Sequence, residues 1–167
     1  PVSERLVGNV AGVVMKSTVA EKLRSGAGNV DMTALVDAVV RGDVAMGYTN
    51  PFASSTGLNF LVSVLSHFSK GNEGQMLSPA VISAFEGFQR GVPFVALTTL
   101  QMRDSVSESG SLDAFVMEYQ TFANTQLLQT GYEFIPFGVR HDNPLYAVGD
   151  LGVDKLEVLD ALAKHAT

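Results

Sequence analysis

One stretch of this chain constrains the rest more than any other, because within it the period of apolar residues changes from that of a strand to that of a helix. Val44-Ala45-Met46 is a short apolar run, and Gly47-Tyr48-Thr49-Asn50 leads from it to Pro51. Proline has no backbone N–H and pushes the residue before it toward extended geometry, so a sheet ladder is expected to end there. Beyond it, Leu58, Leu61, Val62, Leu65 and Phe68 recur at helical spacing and predict a buried stripe on an amphipathic helix. Ser54-Ser55-Thr56-Gly57 then falls on that helix's first turn, where backbone donors lack intrahelical partners and carry partial positive charge. In an open α/β sheet, ligands gather beyond the carboxyl ends of strands, which makes this junction a candidate small-molecule site.

The remaining chain repeats the alternation. Val10 to Met15 reads as a strand, and a polar helix about Thr18 to Arg24 ends at a Gly26-Ala27-Gly28-Asn29 break. Asp31 is placed as the N-cap of a helix that buries Leu35, Val36, Val39 and Val40 and stops at Gly42. Ser78-Pro79 is a cap followed by an N1 proline, and it predicts a helix to about Gln89 with Val81, Ile82, Phe85 and Phe88 inward. Phe94 to Leu97 reads as a buried strand, and Thr98-Thr99 opens a helix ending before Gly110. Ala114 to Tyr119 is another strand, and a short helix about Phe122 to Gln129 follows it. Tyr132 to Phe137 and Leu145 to Val148 read as two further strands, and Leu156, Leu159 and Leu162 mark a last helix. Strands apolar throughout and separated by helices predict an α/β fold, a doubly wound and mainly parallel sheet with helices on both faces. Val13, Met46, Val95 and Val116 are its expected buried strand residues.

With 46% apolar residues in 167, the chain can build a proper core. A formal charge of −6, with no stretch that concentrates Lys and Arg, argues against nucleic acid and anionic membrane as partners. No run approaches the roughly eighteen apolar residues of a membrane span. The absence of cysteine excludes disulfides and thiolate chemistry. His67, His141 and His165 fall in different elements, without the spacing that brings imidazoles to one metal, and no Walker or Gly-x-Ser-x-Gly sequence is present. No catalytic residue, metal or cofactor is therefore assigned. The chain opens on Pro1 rather than Met, which reads as processing or truncation.

Ser54, Ser55 and Thr56 admit two roles, capping their own helix or donating to a ligand, and three hydroxyls in a row exceed what a cap requires. Thr98 and Thr99 repeat the pattern, so the two helix starts are expected to face one crevice. Tyr48 and Asn50 at one strand end, and Glu118, Tyr119 and Gln120 at another, are either ligand contacts or exposed strand ends. Glu118 is awkward beside a bound oxyanion, and would meet a ligand amine, a hydroxyl or an arginine such as Arg103.

With these elements in this order, the chain resembles the bacterial extracellular solute-binding proteins of the type II periplasmic class, nearest their molybdate-like branches. The segments that carry the resemblance are Tyr48-Thr49-Asn50-Pro51, Ser54 to Phe60, Leu112 to Tyr119 and Asp142-Asn143-Pro144-Leu145-Tyr146-Ala147-Val148. It implies a non-catalytic, extracytoplasmic protein that closes two lobes on a solute and delivers it to the permease of an ABC transporter, and the neutral donors at the two helix starts point to a small polar solute, an oxyanion or carboxylate. The candidate ligand contacts, read from the strand ends and helix starts, are Tyr48, Asn50, Ser54, Ser55, Thr56, Thr98, Thr99, Glu118 and Tyr119. Residues 1–131 then correspond to the family's second lobe, and 132–167 to the strands and helix that return to a first lobe the chain does not supply. An uncovered strand edge of that kind predicts self-association. The alternatives to transport are an interaction or sensory domain of a larger surface protein, or an enzyme built on the same fold.

Overall fold

The computed structural model describes residues 3–24 and 28–165, so the Gly26-Ala27 part of the expected break lies outside the described residues. In chain order the elements are β1 (Ser3–Lys16), α1 (Ser17–Leu23), α2 (Met32–Arg41), β2 (Met46–Thr49), α3 (Ser55–Phe68) and α4 (Pro79–Arg90). They continue with β3 (Phe94–Ala96), α5 (Thr99–Ser109), β4 (Ala114–Glu118), α6 (Tyr119–Ala123), β5 (Tyr132–Leu145) and α7 (Val153–His165). Short 3-10 turns cover Glu73–Gln75 and Gln126–Gln129. The chain divides into two units, residues 11–139 and residues 1–10 with 140–167. Strands β1 and β5 contribute to both.

One five-stranded sheet has the order β3-β2-β4-β1-β5. β2 is parallel to both β3 and β4, with Thr49 opposite Ala96 and Gly47 opposite Phe115. β1 is antiparallel to β4, with Val13 opposite Val116. The architecture is therefore α/β with a mixed sheet, parallel where β2, β3 and β4 meet.

Period-two alternation divides the core of the larger unit into two layers. Val13, Met15, Met46, Tyr48, Ala114 and Val116 point to the face covered by α1 to α4. Val14, Phe115 and Met117 point to the other, where Met102 and Val106 of α5 and Leu128 cover them. Being apolar on both faces is what the uninterrupted apolar runs require. Val95 is the exception and corrects the expectation of burial, at 41% exposure. β3 is an edge strand of three residues, and only Phe94 and Ala96 face a covering helix.

Caps behave as their residue types dictate. Asp31 accepts from the Ala34 amide at 2.7 Å, and Gly42 ends α2 with φ 79°, in the left-handed region that costs glycine little. Ser78 caps α4 ahead of Pro79. The buried faces of two helices differ from the periodicity reading. On α3 the fully covered residues are Thr56, Gly57, Phe60 and Val64, whereas Leu58 and Val62 are exposed. On α4, Val81 and Phe88 are buried but Ile82 is exposed, as Val40 is on α2. Towards the C-terminus, Tyr132–Leu145 forms one continuous strand in place of two, and Tyr146 to Val148 lie beyond it. The helix expected over 122–129 is split into α6 and the second 3-10 turn.

The smaller unit is built differently. α7 forms as its leucine spacing predicts, yet none of its residues is buried. The Arg140 guanidinium lies over Gly8, where a Cβ would come within 2.5 Å of Nη2, and its Nε donates to Asp142 at 2.8 Å.

Candidate functional site

The site is built at the carboxyl edge of β2, β3 and β4. Because these strands are parallel, their carboxyl ends share one edge of the sheet, and the Asn50 amide still donates to the Ala96 carbonyl at 2.7 Å beyond the last paired residues. Extending the β2–β4 register three residues past Gly47–Phe115 sets Asn50 beside Glu118. From this edge α3 descends on one face and α5 on the other, so the Ser54–Thr56 and Thr98–Thr99 starts rise at adjacent strands from opposite layers. The chain runs from β2 to β3 on one side and from β3 over to β4 on the other. Strand order thus reverses at β2, where doubly wound sheets open a crevice.

The turn between β2 and α3 is held by Asn50. Its Oδ1 accepts from the Phe52 amide at 2.8 Å, and its carbonyl accepts from the amides of Ala53 and Ser54 at 3.0 and 2.9 Å. Ser54 is the N-cap, its Oγ accepting from the Gly57 amide at 3.4 Å and from the Thr49 hydroxyl at 3.0 Å. Thr56 is fully buried, and its hydroxyl donates to Glu118 Oε1 at 2.6 Å. A charge-assisted bond of that length ties the first turn of α3 to the end of β4. Gly57 makes the approach possible, since a Cβ there would overlap the Thr49 carbonyl oxygen and stand 2.7 Å from its carbon. Ser55 is exposed on the same turn.

The second helix start is a reciprocal cap. Thr98 Oγ1 accepts from the Gln101 amide at 3.1 Å, and Gln101 Oε1 accepts from the Leu97 amide at 3.0 Å. Thr99 is half-buried beside it. Tyr119 stands 52% exposed just past β4, one edge of its ring packed on Phe134 at 5.3 Å between centroids.

Among the expected contacts, the structure brings Asn50, Ser54, Ser55, Thr56 and Glu118 together, with Thr98, Thr99 and Tyr119 on the same edge. Tyr48 is placed elsewhere. Its side chain points into the layer beneath α3 and α4, only 6% exposed, with its ring 5.4 Å from that of Phe60 and its hydroxyl bonded to Gln89. Burial pushes the phenol's pKa above its ordinary value, against a smaller lowering by Gln89. Strand alternation accounts for this, since Tyr48 has the parity of Met46 and Thr49 that of Gly47. Arg103 pairs with its neighbour Asp104 at 2.7 Å.

Two hollows are relevant. One of about 300 Å³ lies between α5 and α6, lined by Leu100, Arg103, Gln120, Thr121, Asn124 and Thr125, at the carboxyl edge. A larger one of about 580 Å³ opens near the far end of α3, among Met32, His67, Lys70, Glu73, Met76 and Phe137, and shares no residue with the candidate site. Phe52, to which the sequence reading gave no role, stands 99% exposed at the tip of the β2–α3 turn.

No protein-family model matches the chain, and no curated protein matches it. Among solved structures, a protein of Bordetella parapertussis described as a "putative extracellular solute-binding protein" matches it with a TM-score of 0.63 at 16% sequence identity. The match covers 98% of this chain and 48% of that one, so the chain spans about half the length of that protein. The two share the α/β fold. Among the described residues, no helix is long and apolar enough to cross a membrane.

Proposed function

We propose that residues 11–139 form the second lobe of an extracytoplasmic binding protein and, with it, one wall of a solute-binding cleft. The solute is small and polar, carries a carboxylate or oxyanion, and is bound without turnover for delivery to an ABC transporter. The observation that carries this reading is the convergence of two helix N-termini on the carboxyl ends of neighbouring parallel strands. The first amides of α3 and α5 have no acceptor within their own helices and are oriented for an anion. Ser54 and Thr98 shape these turns as caps, and Thr56 fixes Glu118, which leaves Ser55, Thr99 and the first-turn amides as donors toward the solute. A likeness in fold to a protein described as solute-binding supports the same reading.

The test is calorimetry of the protein against carboxylates, inorganic oxyanions and amino acids, with Ser55→Ala and Thr99→Ala as variants. Loss of one hydrogen bond to a charged group in a desolvated cleft corresponds to about 1.5–3 kcal/mol. Weakening of that size in both variants, with thermal midpoints unchanged, is the expected result. Unaltered affinity in both would remove these hydroxyls from the site, and absence of binding across the panel would overturn the reading.

A further inference from the structure

We propose that the hollow of about 580 Å³ near the far end of α3 is a second small-molecule site, and that its ligand is a zwitterion with an apolar side chain, chemically an apolar α-amino acid. The hollow lies wholly within residues 11–139 and shares no residue with the strand edge described above, so the proposal stands independently of the solute-binding reading.

Three observations carry it. The first is the make-up of the hollow. Met32, Met76 and Phe137 line it half-buried, and Val62 adds apolar surface from α3 at 44% exposure. These four come from α2, the loop before α4, β5 and α3, so the apolar surface is assembled from distant parts of the chain. A concavity of this size with mainly apolar walls and a few polar groups has the ordinary composition of a small-molecule site.

The second is a pair of opposite charges left open to it. Lys70 and Glu73 both line the hollow, and among the described residues neither has an ion-pair or hydrogen-bond partner. Elsewhere in this chain opposite charges that are close in sequence do pair, as Arg41 does with Asp43 and Lys164 with Asp160. A bare anion would be attracted by Lys70 and repelled by Glu73, and a bare cation the reverse. A zwitterion answers both, its carboxylate to the Lys70 ammonium and its ammonium to the Glu73 carboxylate, with its apolar side chain against Met32, Val62, Met76 and Phe137.

The third is the backbone position from which Lys70 acts. The Gly71 amide donates to the Ser66 carbonyl at 2.8 Å and the Lys70 amide to the His67 carbonyl at 3.0 Å, the two bonds that end a helix on a left-handed residue. Glycine ordinarily occupies that position. Here it is Lys70, with φ 55°, and among the described residues no other non-glycine residue has a positive φ. The favourable effect of a cation on the carboxyl end of α3 is available from the last helical turn, where His67 stands, and does not call for a side chain in the left-handed region. Lysine held there at a cost in backbone energy is accounted for by what its ammonium reaches, which is the hollow.

The experiment is calorimetry with leucine, set against glycine, N-acetylleucine and leucinamide, which remove the apolar side chain, the ammonium and the carboxylate in turn. The protein is compared with Lys70→Gly and Glu73→Gln. Lys70→Gly removes the ammonium while restoring the residue its backbone favours, so its thermal midpoint is expected at or above that of the parent. Leucine binding at least tenfold tighter than any of the three analogues, and weakened at least tenfold in both variants, is the expected result. Absence of leucine binding would overturn the proposal, as would affinities for the analogues equal to that for leucine. Leucine affinity unaltered in Lys70→Gly and Glu73→Gln would overturn it too, by assigning the amino acid to another part of the molecule.

Discussion

Two glycines in neighbouring helices give opposite answers to the same substitution. Exchange of a helical glycine for alanine ordinarily stabilises a protein by about 1 kcal/mol, through backbone entropy alone. Gly87 on α4 follows that rule, because an added Cβ would find nothing nearer than the flexible end of Arg90 at 4.0 Å. Gly57 does not. Its Cβ would overlap the Thr49 carbonyl oxygen, with the carbonyl carbon at 2.7 Å and Oγ1 at 2.9 Å, and a sheet carbonyl cannot rotate aside. Ordinary contact requires a retreat of the α3 first turn by roughly an ångström. Displacement on that scale, an overpacking effect costing about 1–3 kcal/mol, also stretches the Thr56–Glu118 bond, itself worth about 1.5–3 kcal/mol. After the propensity gain is subtracted, Gly57→Ala is expected to destabilise by about 3 kcal/mol and Gly87→Ala to stabilise by about 1. Urea unfolding followed by circular dichroism, with an m-value near 2 kcal/mol/M, converts these to midpoint shifts of about −1.5 M and +0.5 M. A Gly57→Ala midpoint at or above that of the parent would refute the reasoning. Equal losses in both variants would refute it as well, by showing a general intolerance with no link to the β2–α3 contact.

Three further outcomes are expected. Thr56→Val keeps the shape but removes the hydroxyl that donates to Glu118, and a loss of about 1.5–3 kcal/mol in chemical unfolding is its signature; an unchanged midpoint would remove that bond from the stability account. Asp113 accepts from Lys16 Nζ at 3.0 Å and from the Ala45 amide at 3.1 Å, joining the ends of β1, β2 and β4, so Asp113→Asn is expected to lower stability by about 1–2 kcal/mol, and a neutral result would show the charge to be dispensable. The raised pKa of Tyr48 means that its neutral form is favoured by folding: the stabilisation is complete below the unfolded value near 10 and is lost as pH rises from there through the folded pKa. Stability measured from pH 9 to 12 is therefore expected to fall less steeply in Tyr48→Phe than in the parent, and parallel curves would contradict this.

Much of the fold was legible in the sequence, because the signals that carry it are local. Apolar runs such as Val13-Val14-Met15 and Ala114 to Met117 have no polar face and so read as strands covered twice. Asp31, Gly42, Ser78 and Thr98 sit where cap chemistry requires them. What was not legible depends on tertiary placement. Val95 belongs to a run as apolar as the others, and its exposure follows from the edge position of β3, which no local pattern encodes. α3 is apolar around most of its circumference, so the choice between a face of Leu58 and Val62 and one of Phe60 and Val64 is made by the close approach of Gly57 to β2. At the site, the positions of the helix starts followed from strand-to-helix punctuation. The commitment of Thr56 to Glu118, 62 residues away, did not. Tyr48 shares its sequence neighbourhood with the cleft residues, but its parity on the strand sends it to the core.

The position of β1 in the sheet governs the order in which this chain is able to fold. β1 is made before β4 and β5 and lies between them, with Val13 opposite Val116, so its partners emerge about a hundred residues later. Until then Val13, Val14 and Met15 have neither of the layers that bury them, and local helix formation in α2 to α4 cannot supply one that is complete. Long-range pairing of this kind is slow, and it leaves an apolar strand available to other chains in the interval. A nascent chain of this sequence therefore keeps β1 uncovered until β4 and β5 have been made, and chaperone capture in that interval precedes folding rather than competing with it.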